Sequence, residues 1–433
     1  MTSVAAVDSR ARWYHGWNIV GVCILSGIAA NALPINAFSL FLHDWSAQLH
    51  VTVSTLQLGI AACGLSCALL SPVAGMLADR FPARTILSCG LFGMVLFCAG
   101  ISMVEQTWQY LILYAVLLPL SLICATSIPA NAVVSRWFVR RLGLALGLTA
   151  FGLGMAGVVM PPIVAAVMPT LGWRAIWRIG AGVIAFVILP LVLSVVRERP
   201  SARDGLHYLA QDGATGGQPH HGTAPEDEAG EALRWRDILS RRNFWLLVIG
   251  YLPMLALYGG CGNNLTPIAI SRGLSAQQAG LLLSAFSFCQ LAATLGGGMA
   301  SDRFGNRLPL ALLAFLTAGG GTVIAFGQGF PLILLGAGLA GVGGGFWPLL
   351  AAAVAIEFGG KGVGRAFGML TFFLPFAVMS PYAVAKSQEA SGSYGPALMA
   401  MVALALAGGI ACLFIRERRG GGPERLRAAA AAP

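Results

Sequence analysis

Long apolar segments, separated by short polar links, run through almost the whole chain. A helix needs about 20 apolar residues to cross a hydrocarbon core of about 30 Å. Because lipid offers no hydrogen-bond partners, such segments must be helical. The pattern predicts an all-α polytopic membrane protein with twelve transmembrane helices, at residues 16–43, 54–78, 85–104, 108–134, 143–168, 174–196, 243–270, 276–299, 308–328, 330–357, 363–387 and 394–415.

One polar stretch, residues 200–242, interrupts the apolar pattern and separates six predicted helices from six others. Its Gly, Asp, Glu and His residues are typical of a solvated, flexible linker. We therefore predict an N-terminal six-helix bundle at 1–199, a linker at 200–242, a C-terminal six-helix bundle at 243–415 and a tail at 416–433.

The two halves share two motifs. Residues 75–84 (GMLADRFPAR) return as 298–307 (GMASDRFGNR), and residues 143–147 (GLALG) return as 364–368 (GRAFG). Because six helices bring the chain back to its starting side, both halves insert the same way up. The sequence therefore predicts a parallel repeat about an axis along the membrane normal.

Glycines spaced four residues apart predict positions where helices approach closely. The pairs are Gly143 and Gly147, Gly364 and Gly368, and Gly341 and Gly345.

Charge is scarce and unevenly placed. Charged residues are 10% of the chain, hydrophobic residues are 57% and the mean hydropathy is +0.76, whereas soluble domains carry roughly 25% charged residues. All of the 27 Lys and Arg residues except Arg174, Arg178, Arg272 and Lys386 fall on the N-terminal side of the predicted membrane. The positive-inside rule then places both termini and the linker in the cytoplasm, in a bacterial-type inner (plasma) membrane. The net charge of +10 follows from this topology, so we expect no nucleic-acid partner.

Catalytic and metal-binding patterns are missing from the sequence. The nine cysteines form no C-x-x-C pair and no His/Cys grouping has zinc spacing. There is no nucleophile elbow and no catalytic carboxylate pair. We therefore predict a protein that is not an enzyme and that uses no cofactor and no metal.

The repeated G-x-x-x-D-R-x-x-x-R pattern resembles the signature loop of the major facilitator superfamily. The resemblance implies the major facilitator fold and a cytoplasmic latch in which Asp79 and Asp302 are the acidic groups. Adjacent arginines would support the latch, and Arg136 at the end of the fourth predicted helix joins them as a gating candidate. The gating candidates are Asp79, Arg80, Arg84, Arg136, Asp302, Arg303 and Arg307.

Three further motifs, at residues 15–17 (HGW), 136–147 (RWFVRRLGLALG) and 172–174 (GWR), are similar to the monocarboxylate transporter and oxalate–formate antiporter branch. This resemblance implies a carboxylate substrate and symport. Many relatives hold the substrate with an Arg in the eighth helix, but here Gln290 and Thr294 occupy the expected positions of the charged pair.

Only neutral polar residues remain in the middle of the predicted helices, where a buried charge would cost about 2.5–3.5 kcal/mol and be kept only for function. Neutral amides and phenols can orient a solute by hydrogen bonds, although an Asn can equally bond a neighbouring helix. The substrate-binding candidates are Asn31, Asn36, Gln57, Asn131, Tyr258, Asn263, Asn264, Gln290 and Tyr382.

Together these features predict a secondary transporter that moves a small organic acid, or a similar polar organic solute, by alternating access. Its expected partners are the small-molecule substrate and the lipid bilayer, with a coupled proton as a candidate, and we expect a monomer. Efflux of neutral or apolar compounds is one alternative. A non-transporting membrane sensor is an alternative of another class. The sequence leaves the substrate, the direction and the coupling ion open.

Overall fold

The computed structural model describes residues 14–138, 142–197, 238–358 and 366–415, except residues 367 and 371. Ten helical stretches in this part of the chain are long and apolar enough to cross a membrane. One of them, Leu144–Val195, contains two helices that meet at Gly172. A further helix, ending at Ser391, completes the predicted set of twelve. The chain therefore has the all-α architecture that the sequence predicts.

The first bundle holds helices 1 to 6, several of them interrupted. Helix 1 comprises His15–Asn31, a π-helical turn at Ala32–Asn36 and Phe38–Leu49; helix 2 is Val53–Arg80; helix 3 is Ala83–Ser102; helix 4 comprises Thr107–Ile112, Leu113–Leu117, Leu118–Ala125 and Ser127–Trp137. Helices 5 and 6 lie within Leu142–Val183, and helix 6 continues through Ile184–Ile188 and Leu189–Val195.

The second bundle holds helices 7 to 12. Helix 7 is Arg242–Ser271; helix 8 is Ala276–Phe304; helix 9 is Arg307–Phe326; helix 10 comprises Phe330–Gly341, a 3-10 turn at Val342–Gly345 and Phe346–Phe358; helix 11 comprises Leu374–Val378 and Ser380–Ser391; helix 12 is Gly395–Leu413.

Helix 1 runs to Leu49, beyond the predicted end at residue 43, because the π-helical turn around Pro34 redirects the helix without ending it. Proline lacks the N–H that would continue the regular bonding pattern. Gly172 makes the turn between helices 5 and 6 with φ of 71°, a backbone region that glycine enters at no steric cost.

The two ends of the molecule need separate names. The terminal end carries Tyr14 and Ile415, and the far end carries the link between helices 1 and 2 at His50. The topology predicted from the sequence places the terminal end in the cytoplasm. The surface where the two bundles meet is called the seam below.

An aromatic cluster fills the far half of the first bundle. Trp45, which is 1% exposed, stacks on Phe41 at 5.4 Å and on Trp177 at 6.1 Å. Tyr110 and Tyr114 meet the same indole edge-on. Large buried rings supply many dispersion contacts, so this half of the bundle is closely packed.

The glycine predictions are only partly correct. Gly341 and Gly345 pack directly against the backbone of Phe286 and Ala293 in helix 8. In contrast, a Cβ atom on Gly147 or Gly368 would meet nothing within 4 Å, so neither glycine supports a close helix crossing in this structure. Their predicted partners, Gly143 and Gly364, lie outside the residues whose side-chain surroundings are described.

Candidate functional site

A cavity of about 140 Å³ lies in the seam, where helices 1, 7 and 8 meet. We call it the central cavity. Its apolar wall includes Ile35, Leu283 and Phe286, and its polar lining is uncharged. The polar lining residues are Asn36, Ser39, Tyr258, Asn263, Ser287 and Gln290. Amides and hydroxyls orient a bound molecule by hydrogen bonds, so recognition here depends on hydrogen-bond geometry and not on a charge pair.

The helix 1 wall is shaped by the π-helical turn. The Nδ2 of Asn31 donates to the Gly27 carbonyl at 3.0 Å, and the Nδ2 of Asn36 donates to the Asn31 carbonyl at 3.2 Å. Because the nitrogen of Asn36 faces its own helix, its Oδ1 faces away from helix 1. That oxygen lies 2.8 Å from the point that a Cβ on Gly157 would occupy, so glycine in helix 5 makes room for it.

Helix 7 repeats the arrangement with two adjacent asparagines. The Nδ2 of Asn263 donates to the Gly259 carbonyl at 3.1 Å, one turn earlier in the same helix. The Nδ2 of Asn264 donates to the Gly260 carbonyl at 3.0 Å and to the Pro381 carbonyl of helix 11 at 3.1 Å. Asn263 therefore presents its Oδ1 to the central cavity, whereas Asn264 is fully buried and ties helices 7 and 11 together.

The opposite wall is a tyrosine–glutamine pair. The Tyr258 hydroxyl donates to the Oε1 of Gln290 at 2.8 Å, and the Tyr258 ring stacks on Phe286 at 4.9 Å. This bond directs the Nε2 of Gln290 away from the tyrosine. Behind the pair, a Cβ on Gly344 would lie 2.5 Å from the Cγ of Gln290, so the glycine turn of helix 10 is the support against which Gln290 rests.

Two hydrogen bonds cross the seam to carbonyl groups that prolines have freed. Pro267 in helix 7 cannot donate to the Asn263 carbonyl four residues earlier, and the Nε2 of Gln57 in helix 2 donates to that oxygen at 3.0 Å instead. Pro162 in helix 5 likewise frees the Val158 carbonyl, which accepts from the Ser284 hydroxyl of helix 8 at 2.6 Å. We call these two contacts the proline locks. Each one satisfies a backbone group that lipid could not.

Two further polar contacts close the seam nearer the far end. The hydroxyls of Ser39 and Thr266 lie 2.9 Å apart. The carboxylate of Glu389, at the end of helix 11, accepts from the backbone N–H of Ser54 at 3.2 Å. Ser54 lies in the first turn of helix 2, where N–H groups have no helical partner and an anion is favoured.

This arrangement, two six-helix bundles around a polar cavity, fits the sequence profile of the Major Facilitator Superfamily, which matches residues 24–276 and 260–433. The chain belongs to the Major Facilitator Superfamily. It is similar to MFS transporter asaE of Aspergillus flavus, with 26% identity over 83% of this chain and 77% of that protein. It is also similar to MFS-type transporter 1 of an Ophiocordyceps species, with 25% identity over 89% of this chain and 80% of that protein.

A solved structure shares the fold. The bacterial homolog of the human lysosomal transporter Spinster, in an inward-facing and unoccupied conformation, superposes with a TM-score of 0.65 over 94% of this chain and 95% of that chain, at 15% identity. Superfamily members of this kind are transporters and not enzymes, so the chain is a multi-pass membrane transporter. Its resemblance to the monocarboxylate and oxalate–formate branch stays a prediction.

Four of the nine predicted substrate-binding residues line the central cavity, namely Asn36, Tyr258, Asn263 and Gln290. Two others, Gln57 and Asn264, are fully buried in the seam beside it and bond each other at 3.2 Å. Asn31 supports the helix 1 wall from behind.

The remaining two candidates lie elsewhere. Asn131 is exposed and lines a separate cavity of about 100 Å³ in the first bundle, together with Thr149. Tyr382 is half-buried on helix 11 and is not among the residues that line the central cavity. Substrate binding by any of these nine side chains stays a prediction.

The gating candidates lie at the terminal end of this superfamily member. The side chains of Asp79, Arg80 and Asp302 are outside the described part of the structure. Arg84, Arg136, Arg303 and Arg307 are exposed, and Arg84, Arg136 and Arg307 engage in further polar, ring or electrostatic interactions. The latch that the family resemblance implies therefore stays a prediction.

Four residues that were not predicted from the sequence take part in the cavity or in the seam. Ser39 and Ser287 line the central cavity, Ser284 forms a proline lock, and Glu389 caps helix 2 across the seam. The prolines of helices 5 and 7 were a usable signal, because each marks a carbonyl four residues earlier that needs another donor. Ser284 and Glu389 had no comparable signal, since their partners across the seam lie more than one hundred residues away.

Proposed function

We propose that this superfamily member is a secondary transporter that rocks its two bundles around the central cavity, carrying a small polar organic solute in uncharged form. The observation that carries the proposal is the position of the cavity: its polar lining comes from helix 1 of one bundle and from helices 7 and 8 of the other. A site shared in this way changes when the bundles separate, so solute binding and bundle movement are coupled.

The chemistry of the lining limits the substrate. The described lining contains no charged side chain, and an isolated ion in such a place would cost far more than its hydrogen bonds return. A monocarboxylate, the predicted substrate class, would therefore enter as its neutral acid and bring its own proton. This is symport without a dedicated proton-binding carboxylate in the cavity. The volume of about 140 Å³ suits a small solute, since pockets for drug-sized ligands span roughly 300–1,000 Å³.

Solute flux into proteoliposomes tests the proposal. We expect counterflow of labelled monocarboxylates or neutral analogues above the level of protein-free liposomes, with acids entering faster as the external pH falls towards their own pKa. Flux that is independent of pH for every acid would contradict entry as the neutral form. Equal flux with and without protein across the whole panel would contradict the transport proposal.

The orientation is proposed on the charge asymmetry, with both termini cytoplasmic. The terminal end would then face the cytoplasm and the proline locks would face the outer half of the membrane. Reporter fusions in the 200–242 linker and after the final residue test this, and an external location of either reporter would contradict the assignment.

A further inference from the structure

The central cavity offers more fixed hydrogen-bond acceptors than donors. The Nδ2 of Asn36 and the Nδ2 of Asn263 each donate to a backbone carbonyl, which leaves each Oδ1 as an acceptor. Both asparagines line the cavity, so two acceptor oxygens of the described residues border the same space.

The direction of each amide is set by its partners. A backbone carbonyl can only accept, so the nitrogen ends of Asn36 and Asn263 must face the carbonyls of Asn31 and Gly259. The Tyr258 hydroxyl needs an acceptor and finds the Oε1 of Gln290. The Nε2 of Gln290 therefore faces the cavity as its fixed donor. The hydroxyls of Ser287 and Ser39 also line the cavity and can rotate to donate or accept.

This pattern discriminates between ligand classes. A carboxylate only accepts, so it would meet the oxygens of Asn36 and Asn263 without a proton to share. An ammonium group would satisfy those oxygens but would lie among described lining residues that carry no counter-charge, at the cost of a buried ion. A protonated acid has a single O–H for the two asparagine oxygens, whereas a neutral primary amide has two N–H bonds beside its C=O and can satisfy both oxygens and the donor.

We propose that the central cavity recognises an uncharged primary carboxamide group. One of its two N–H bonds donates to the side-chain oxygen of Asn36 and the other to that of Asn263, and its carbonyl accepts from the Nε2 of Gln290. The stacked rings of Tyr258 and Phe286, 4.9 Å apart, form an apolar wall that favours a planar substrate. The substrate class rests on the proposed transport function, since it names the solute of that same site.

A matched ligand series tests the recognition chemistry by binding alone. Nicotinamide, nicotinate and methyl nicotinate share one ring and differ in the group presented: amide, anion, or acceptor without N–H. Binding to the purified full-length protein is measured by thermal shift and calorimetry at pH 7. We expect nicotinamide to bind about 5- to 150-fold more tightly than either relative, since each unmatched polar pair costs about 1–3 kcal/mol and 1.4 kcal/mol is tenfold.

Gln290→Glu sharpens the test, because it keeps an oxygen for Tyr258 and replaces the cavity donor with a second oxygen. We expect this variant to lose the preference for nicotinamide. Gln278→Glu is the matched control on the same helix: Gln278 accepts from the N–H of Ser275 in a capping box that Glu also satisfies. The control should bind as the unmodified protein does.

The outcomes separate the two proposals. Equal or tighter binding of nicotinate or methyl nicotinate, or no binding of nicotinamide, would overturn the amide assignment. Flux of nicotinamide into proteoliposomes is then measured separately. Nicotinamide binding without flux would leave the assignment standing and contradict transport. Flux of other solutes with no preference for amides would leave transport standing and contradict the assignment.

Discussion

The seam between the bundles changes character along its length. In its far stretch, hydrogen bonds join the bundles, as between Ser39 and Thr266 at 2.9 Å and between Ser54 and Glu389 at 3.2 Å. In its middle stretch, glycine meets an apolar side chain: Gly64 of helix 2 faces Val378, and Gly154 of helix 5 faces Leu291. The far stretch is therefore joined by polar contacts, and the middle stretch by close contacts between glycines and apolar side chains.

The difference separates two mechanical roles. A hydrogen bond contributes only about 0.5–1.5 kcal/mol net, because water replaces it when the groups part. Several such bonds can therefore break and form again as the far end opens and closes. Water cannot replace the close contact that a glycine makes with a neighbouring side chain, and a methyl group added to the glycine must displace that neighbour. We infer that the polar stretch acts as a gate and the glycine stretch as the pivot.

The largest expected effect comes from filling a second kind of glycine contact in helix 5, at Gly157, three residues from the pivot glycine Gly154 and next to the central cavity. In Gly157→Ala, the new Cβ would lie 2.5 Å from the Ser287 hydroxyl and 2.8 Å from the Asn36 Oδ1. Overpacking costs typically about 1–3 kcal/mol, so we expect solute flux to fall about 10- to 100-fold, measured in proteoliposomes.

Gly182→Ala is the control for this variant. A Cβ at Gly182 would meet nothing within 4 Å, and alanine favours helix slightly more than glycine does. Both proteins should have similar melting temperatures if the loss is specific. Normal flux in Gly157→Ala, or an equal loss in the control, would contradict the distinction between a glycine packed in the seam and one on an open helix surface.

Much of the fold follows from the sequence, because apolar segments of spanning length have few alternatives in lipid. The proline locks show the limit. Pro267 and Pro162 mark the freed carbonyls of Asn263 and Val158, but the donors Gln57 and Ser284 depend on how distant helices align across the seam. The direction of each Asn amide is likewise decided by backbone contacts within its helix, which composition does not encode.

An intermediate effect is expected from removing the hydrogen-bond donor of one proline lock. Gln57 is fully buried and donates to the Asn263 carbonyl and to the Oδ1 of Asn264. Gln57→Leu leaves both oxygens without that donor while the seam is closed, at about 1–3 kcal/mol, and water can satisfy them once it opens. We therefore expect the far end to be open in a larger fraction of molecules. Opening increases the distance between dyes attached at positions 103 and 328, so the energy transfer between them should fall.

Those two positions lie at the far end of different bundles, after helix 3 and before helix 10. Gln277→Leu is the matched control, since Gln277 is exposed in the first turn of helix 8. Unchanged energy transfer in Gln57→Leu would show that the lock does not hold the gate closed.

The smallest effect is expected at Glu389, the outermost polar contact of the seam. Its side chain keeps 21% exposure and pairs with Lys386 at 3.2 Å, so solvent screens it. Glu389→Gln keeps an acceptor for the Ser54 N–H but removes the charge, worth about 0.3–1 kcal/mol at a helix N-terminus. That corresponds to an increase of about two- to fivefold in the open fraction, measured with the same dye pair.

High salt gives a second test of the same contact. Because the Debye length falls to about 3 Å at 1 M salt, high salt should open the gate of the unmodified protein by a similar amount and leave the Glu389→Gln protein nearly unchanged. The buried Gln57 lock is neutral and should respond little to salt. Equal salt sensitivity of the Glu389→Gln variant and the unmodified protein would mean that the carboxylate plays no part in closing the far end, and that the gate consists of the neutral contacts alone.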